Sequence, residues 1–255
     1  MRMNRMVGLA ATAAVIIGVA CSAPGAKAAT KTSPAQTAIQ AAARQKRYAI
    51  VTFYKKNDSA STKMLAEAKK LQAKYSSRAN FVSVDVGNSI HQGIISRYGA
   101  DRSPVPLTLV IAPNGAVTAG YPNAINKTDI SDAFVSTGMA DVLKVLQGGK
   151  LAAICVQNSK TKYNKESLDA AEGLKSDQRL ANLVGIVTID PSDKDESTFM
   201  SICKVEANMP NAQLVVIVPP GKIVGKFDGA ISKDTVLASV MKSCSSGSCG
   251  PSGCN

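Results

Sequence analysis

Beyond its first thirty residues the chain alternates short apolar runs with longer stretches of helical period. Tyr48-Ala-Ile-Val-Thr-Phe-Tyr54 is β-branched and aromatic almost throughout and predicts a buried strand. In residues 61–75 the apolar positions Met64, Leu65, Ala68, Leu71 and Tyr75 recur at three and four residues. Lys63, Lys69, Lys70 and Lys74 take the wet face, so a helix follows the strand. Phe81-Val-Ser-Val-Asp-Val86 predicts a second strand, 91–98 a helix and 107–112 a third strand. Pro113-Asn-Gly115 supplies a turn into a strand over 116–120, and 129–147 returns to helix. With a leading helix over 34–47, the order is α-β-α-β-α-β-β-α.

The same order then recurs. Strands are expected at 151–156, 183–189, 214–218 and 222–227, and helices at 165–174, 196–207 and 233–241. The strongest internal match sets Val110-Ile-Ala-Pro-Asn-Gly115 against Val216-Ile-Val-Pro-Pro-Gly221, a spacing of 106 residues. That period is the size of a domain, so the pattern is a duplication and not a solenoid repeat. Gly148-Gly149 marks the junction. A β-α-β alternation with terminal hairpins places the chain in the α/β class, with a central mixed sheet flanked by helices in each half.

The N-terminus stands outside this pattern. Arg2 and Arg5 precede an apolar stretch from Met6 to Ala20, followed by Pro24-Gly25 and the small-x-small sequence Ala26-Lys27-Ala28. These are the parts of a secretory signal peptide, residues 1–28. Two processing routes fit: cleavage after Ala28, or acylation of Cys21 in a lipobox-like Ile-Gly-Val-Ala-Cys sequence, which would add a lipid anchor as the sole membrane attachment. Either route predicts an exported protein, periplasmic or extracellular, in a compartment where disulfides persist.

Charge and composition narrow the function classes. The formal net charge is +12. Residues 29–147 hold 15 basic and 7 acidic side chains, against 12 and 11 in 148–255. Nucleic acid is not an expected partner despite this surplus, because aromatics make up 4% of the chain and Trp is absent, leaving no stacking platform.

Over residues 45–147 the sequence resembles the thioredoxin superfamily. The residues that carry the resemblance are Phe53-Tyr54 before the first helix, Lys63-Met64 within it, Asp85 at the end of the second strand, Tyr98-Gly99, and Val105-Pro106. Pro106-Leu-Thr-Leu-Val-Ile-Ala-Pro-Asn-Gly115 is similar in spacing to the cis-proline strand and turn of membrane-anchored and periplasmic thiol-disulfide oxidoreductases. The second half is similar more loosely, with Met209-Pro210 near the corresponding place. The resemblance implies two tandem thioredoxin-like domains, 33–147 and 150–242, and a peptide-binding surface at Val105 and Pro106. It also implies a Cys-x-x-Cys at the N-terminus of the first helix, where the helix dipole and free N–H groups lower a thiol pKa. Counted back from Lys63-Met64, those positions are Ser59 and Thr62, and the second-half loop Asn158-Ser-Lys-Thr-Lys162 also lacks cysteine. The usual dithiol is missing from both halves. Ser59 and Ser61 then read as helix caps.

Five cysteines besides Cys21 remain. Cys155 falls in the first strand of the second half and Cys203 on a helix over its sheet, either as two core thiols or as a disulfide. Cys244, Cys249 and Cys254 recur every five residues in a Gly/Ser/Pro tail, 243–255, whose composition predicts flexibility. Three roles fit these tail thiols: a redox arm exchanging with a protein thiol or disulfide partner, capture of Cu(I) or Zn, or a structural staple. If the chain is an enzyme, it is a thiol-disulfide oxidoreductase acting through this tail. No other cofactor is expected. His91, the single histidine, is expected to be exposed near a helix start.

Overall fold

The computed structural model describes residues 32–125 and 130–243. Its first sheet is built from β1 (Tyr48–Tyr54), β2 (Ala79–Asp85), β3 (Leu107–Ile111) and β4 (Val117–Pro122), in the order β2-β1-β3-β4. β1 runs parallel to β2 and antiparallel to β3, and β3 is antiparallel to β4. The inner five residues of β1 are all buried, as a central strand covered on both faces requires. One face carries α1 (Pro34–Arg44) and α3 (Gln92–Arg97): Ala35, Ile39, Ala42, Ile94 and Ile95 pack there on Val51, Phe53 and Val84. The other face carries α2 (Ser59–Tyr75), whose Tyr75 and Leu71 meet Ile50 and Val110.

The second sheet repeats the plan with β5 (Leu151–Val156), β6 (Val184–Ile189), β7 (Gln213–Val218) and β8 (Lys222–Asp228), in the order β6-β5-β7-β8. Strand senses match those of the first sheet. Even the bulge recurs, between Val110 and Ile111 in one hairpin and Val216 and Ile217 in the other. Helices α5 (Asn164–Ser176), α6 (Ser197–Cys203) and α7 (Lys233–Ser243) complete the half. A central strand parallel to the next strand and followed by an antiparallel hairpin, with helices on both faces, is the thioredoxin fold. The chain contains it twice in tandem, as the α/β expectation had it.

Helix ends differ from the periodicity where side chains or backbone angles decide. α2 starts two residues early because Asp58, not Ser59 or Ser61, is the N-cap: its Oδ2 accepts from the Ser61 N–H at 2.7 Å. The expected helix over 129–147 is a separate 3-10 turn, Ile130–Ala133, and then α4 (Thr137–Gln147), which Ser136 caps through Met139 N–H. α6 stops at Cys203 because Lys204 enters the left-handed region at φ 52°.

α4 serves both sheets. Its Ala140 and Leu143 pack on Ala112 and Ala116 beside the first sheet. Its Val142, with Met139, Val145 and Leu146, packs on Ala152, Ile154 and Val187 of the second. The helix N-terminus is also held from the second half. Glu196, 5% exposed, accepts from Ser136 Oγ at 2.6 Å and from the Gly138 N–H at 2.7 Å. A Cβ on Gly138 would lie 2.8 Å from both carboxylate oxygens, so a side chain there would push the Glu196 carboxylate off the helix N-terminus. Among the described residues no helix is long and apolar enough to cross a membrane.

Candidate functional site

The site lies where β1 ends and α2 begins. Backbone pairing runs to Tyr54 opposite Asp85, after which Lys55, Lys56 and Asn57 turn into the helix, Asn57 with φ 59°. Asp58 then caps, and Ser61, 1% exposed, accepts from the Lys55 N–H at 3.1 Å. This buried hydroxyl ties the loop to the first turn. Ser59 and Thr62, the positions that the resemblance assigns to the dithiol, are both exposed and three residues apart on one helix face. Thr62 Oγ1 donates to the Asp58 carbonyl at 3.0 Å. Neither hydroxyl has a base to activate it, so the pair offers no nucleophile.

The anion at this helix N-terminus is a carboxylate. Hydrogen bonds from Ser61 hold the Asp58 carboxyl below the usual carboxylate range. At the neighbouring strand end Asp85, 9% exposed, is held below that range by the Gly87 N–H at 3.0 Å, with Lys56 Nζ 3.3 Å away. Beneath α2, Thr52 and Thr108 share a buried hydrogen bond of 3.0 Å between β1 and β3. His91 ends a 3-10 turn and is half-buried rather than exposed, with its Nδ1 enclosed and without a partner.

Val105-Pro106 is a cis peptide at the start of β3. Leu107 pairs with Phe53, which places Pro106 at the same end of the sheet as the 55–58 loop. The Pro106 carbonyl accepts from the Asn123 N–H at 2.8 Å. No backbone hydrogen bond from the 55–58 loop reaches Val105 or Pro106.

The second half treats the equivalent edge differently. By the common spacing Ala212 stands where Pro106 does, and Cys155 and Leu214 pair where Thr52 and Thr108 do. Lys162 forms a parallel bridge to Asn211: its N–H donates to the Pro210 carbonyl at 3.0 Å, and its carbonyl accepts from the Ala212 N–H at 2.7 Å. The loop is anchored in turn by Asn158 Nδ2 on Asp190 at 2.9 Å and by Thr161 Oγ1 on Asn164 Oδ1 at 2.6 Å. The second half thus fills its own strand edge. Its cis peptide lies elsewhere, at Pro219-Pro220 in the hairpin turn, and Met209-Pro210 is trans.

The disulfide alternative for Cys155 and Cys203 is corrected: both thiols are free and buried. β5 alternates its side chains, so Cys155 packs with Leu151 and Ala153 on one face while Cys203 packs with Ile154 and Val156 on the other. The sheet separates them. Burial pushes the Cys155 thiol up and the Cys203 thiol up to about 11, the opposite of what exchange chemistry needs. Among the described residues no three His, Cys, Asp or Glu side chains gather to hold a metal. Cys21, Cys244, Cys249 and Cys254 lie outside the described residues.

Sequence reasoning missed the Asp58 cap and the Lys162 bridge. The first was legible, since Asp58 precedes the helical period by the spacing a cap needs. The second was not, because a backbone bridge leaves no residue signature.

No family model matches the chain, and no curated protein matches it. Solved structures do. The chain is similar to the germline-specific thioredoxin Deadhead from Drosophila melanogaster at 20% identity over 36% of this chain and 82% of that one, with a TM-score of 0.30. It is similar to the zinc-bound form of human ERp44 at 14% identity over 86% of this chain and 60% of that one, with a TM-score of 0.34. It is also similar to a disulphide isomerase from Xylella fastidiosa Temecula1 at 18% identity over 46% and 94%, with a TM-score of 0.30.

Proposed function

We propose that the protein is an exported thioredoxin-like protein of thiol redox pathways that binds polypeptide at Val105 and Pro106 and carries its exchangeable thiols in the tail. The observation that supports it most is the contrast between the two strand edges. The second half covers its edge with Lys162, while the first leaves Val105 and Pro106 without such a bond. An extended client can add backbone hydrogen bonds at an edge of that kind.

Chemistry in this reading comes from Cys244, Cys249 and Cys254, since Ser59 and Thr62 carry hydroxyls and the two described cysteines are buried. A tail thiolate attacks a client disulfide, giving a mixed disulfide and one client thiolate. A second tail thiolate then displaces the other client sulfur. The client gains two electrons and two protons as its disulfide becomes two thiols, and the tail pair becomes a disulfide.

Insulin reduction with dithiothreitol as the terminal reductant tests this. The intact protein should accelerate it, and the triple variant Cys244→Ser, Cys249→Ser, Cys254→Ser should not. No acceleration by the intact protein would sink the redox reading and leave a non-catalytic binding module, which the hydroxyls at Ser59 and Thr62 favour. Intact mass of the secreted protein reads cleavage after Ala28 or acylation of Cys21, and any Cu(I) or Zn held by the tail thiols.

A further inference from the structure

An opening lies at one edge of the first sheet, along the outer side of β2. It is a cleft of about 390 Å³ between α1 and α2. Ala38 and Ala41 line it from α1, Gln72 and Ser76 from the α2 side, and residues 79–82 form its floor. Its single charged lining residue is Arg47.

The ladder fixes which backbone groups look into it. Tyr48 N–H donates to the Arg78 carbonyl and Val86 N–H to the Tyr54 carbonyl, so Asn80, Val82 and Val84 turn their backbone groups inward to β1. Parallel pairing alternates, which leaves the N–H and C=O of Phe81 and Ser83 pointing outward. Among the described residues no hydrogen bond uses them. The Ala79 carbonyl is already taken by Arg47 Nη2 at 3.0 Å, and the same nitrogen donates to the Ser76 carbonyl. The guanidinium is thereby fixed across one end of the edge, while its Nε is enclosed and has no partner.

The second half brings its helix closer over the face of the equivalent strand. Gly185 stands where Asn80 does, and a Cβ there would lie 2.6 Å from the Val145 methyls of α4. In the first half α1 presents only the methyls of Ala38 and Ala41 to the cleft.

We infer that the cleft between α1 and α2 is a binding site for an extended acidic peptide, which adds as a strand to the outer edge of β2 and places a carboxylate or carbonyl oxygen on Arg47. Phe81 and Ser83 supply four backbone hydrogen bonds, and the fixed positive charge of the Arg47 guanidinium draws the carboxylate to that end of the edge. The acidic character follows from the charge at hand. Among the described residues Arg47 has no acidic partner, and residues 29–147 carry 15 basic against 7 acidic side chains. Exposed sheet edges in soluble proteins are normally blunted by Pro, bulges or inward charges; from Ala79 to Val84 β2 has none of these, and its one buried charge, Asp85, stands at its last residue. The site is separate from Val105 and Pro106 and does not rest on their role.

The test uses the full chain and fluorescence anisotropy with a fluorescein-labelled peptide of sequence Glu-Val-Thr-Val-Glu-Val. Saturable binding is expected. Arg47→Gln should weaken it about tenfold, and Ser83→Pro should abolish it by removing an outward N–H at an exposed edge position where proline is tolerated. Should Ser83→Pro fail to fold by circular dichroism, Ala41→Glu reads the same site by placing a like charge in its wall. The matched peptide Lys-Val-Thr-Val-Lys-Val should not bind. Equal binding of Glu-Pro-Thr-Pro-Glu-Pro, which offers charge but cannot extend a ladder, would overturn strand addition. So would binding unchanged in Arg47→Gln and in Ser83→Pro or Ala41→Glu, or no saturable binding of the acidic peptide at all.

Discussion

Asp58 decides how the helix N-terminus behaves. A family dithiol placed here would meet a carboxylate already seated on the free N–H groups that stabilise a thiolate elsewhere. Introducing Ser59→Cys with Thr62→Cys should therefore give a thiol of comparatively high pKa, and adding Asp58→Asn should lower it by removing the competing charge. The pH dependence of iodoacetamide alkylation reads this directly, and an unchanged profile in the triple variant would refute it. Depressed carboxyl pKa values also set the acid limb of stability. Asp58, Asp85, Asp177 and Asp190 all sit below the ordinary range in the folded chain, each held first by hydrogen bonds that favour the ionised form. Their stabilisation is complete above the unfolded value of about 4 and is lost as pH falls through the folded values. Melting temperature should thus be flat from about pH 7 to pH 5 and fall steadily below about pH 4. The buried cysteines give a third expectation at this scale: in the tail-thiol triple variant lacking the signal segment, Ellman's reagent should titrate Cys155 and Cys203 only after denaturation. Residue types alone could not show this, because the spacing of two cysteines says nothing about which face of a sheet each occupies.

At the scale of elements, the sequence was most informative where burial is continuous. β1 and β7 were legible as apolar runs, and the repeated hairpins were legible from the shared turn residues. Helix ends were less so, since one capping oxygen or one left-handed residue moves them by several positions, as Ser136 and Lys204 do. The strap in the second half has a measurable signature. The Ala212 amide, bonded to Lys162 at 2.7 Å, should be among the slowly exchanging amides of the second sheet. Asn158→Ala cuts the loop from Asp190 and should speed that exchange at least several-fold without slowing or speeding amides of β1.

For the molecule as a whole, Glu196 ties the second half to the first by accepting from Ser136 Oγ at 2.6 Å and from the Gly138 N–H at 2.7 Å. Replacing Glu196 with Ala leaves Ser136 Oγ and the Gly138 N–H to find other partners, at about 1–3 kcal/mol. Gly138→Ala should cost a similar amount, about 1–3 kcal/mol, by forcing the carboxylate away. Urea unfolding of the two variants checks both figures, and the double variant should fall short of their sum because the two changes break one contact.

The double duty of α4 has a consequence for how the duplicated halves can be rearranged. Gly148-Gly149 looks like a seam in the sequence, yet a gene cut there would hand the second half a sheet with one face stripped of Val142, Met139, Val145 and Leu146. A fragment beginning at residue 150 should be insoluble or molten, whereas one beginning at residue 135 should fold, and expression of the two side by side distinguishes them. The portable cassette is therefore longer than the repeat. Neighbouring copies overlap by one helix, so halves can be added or swapped only by sharing that helix or by making a second one.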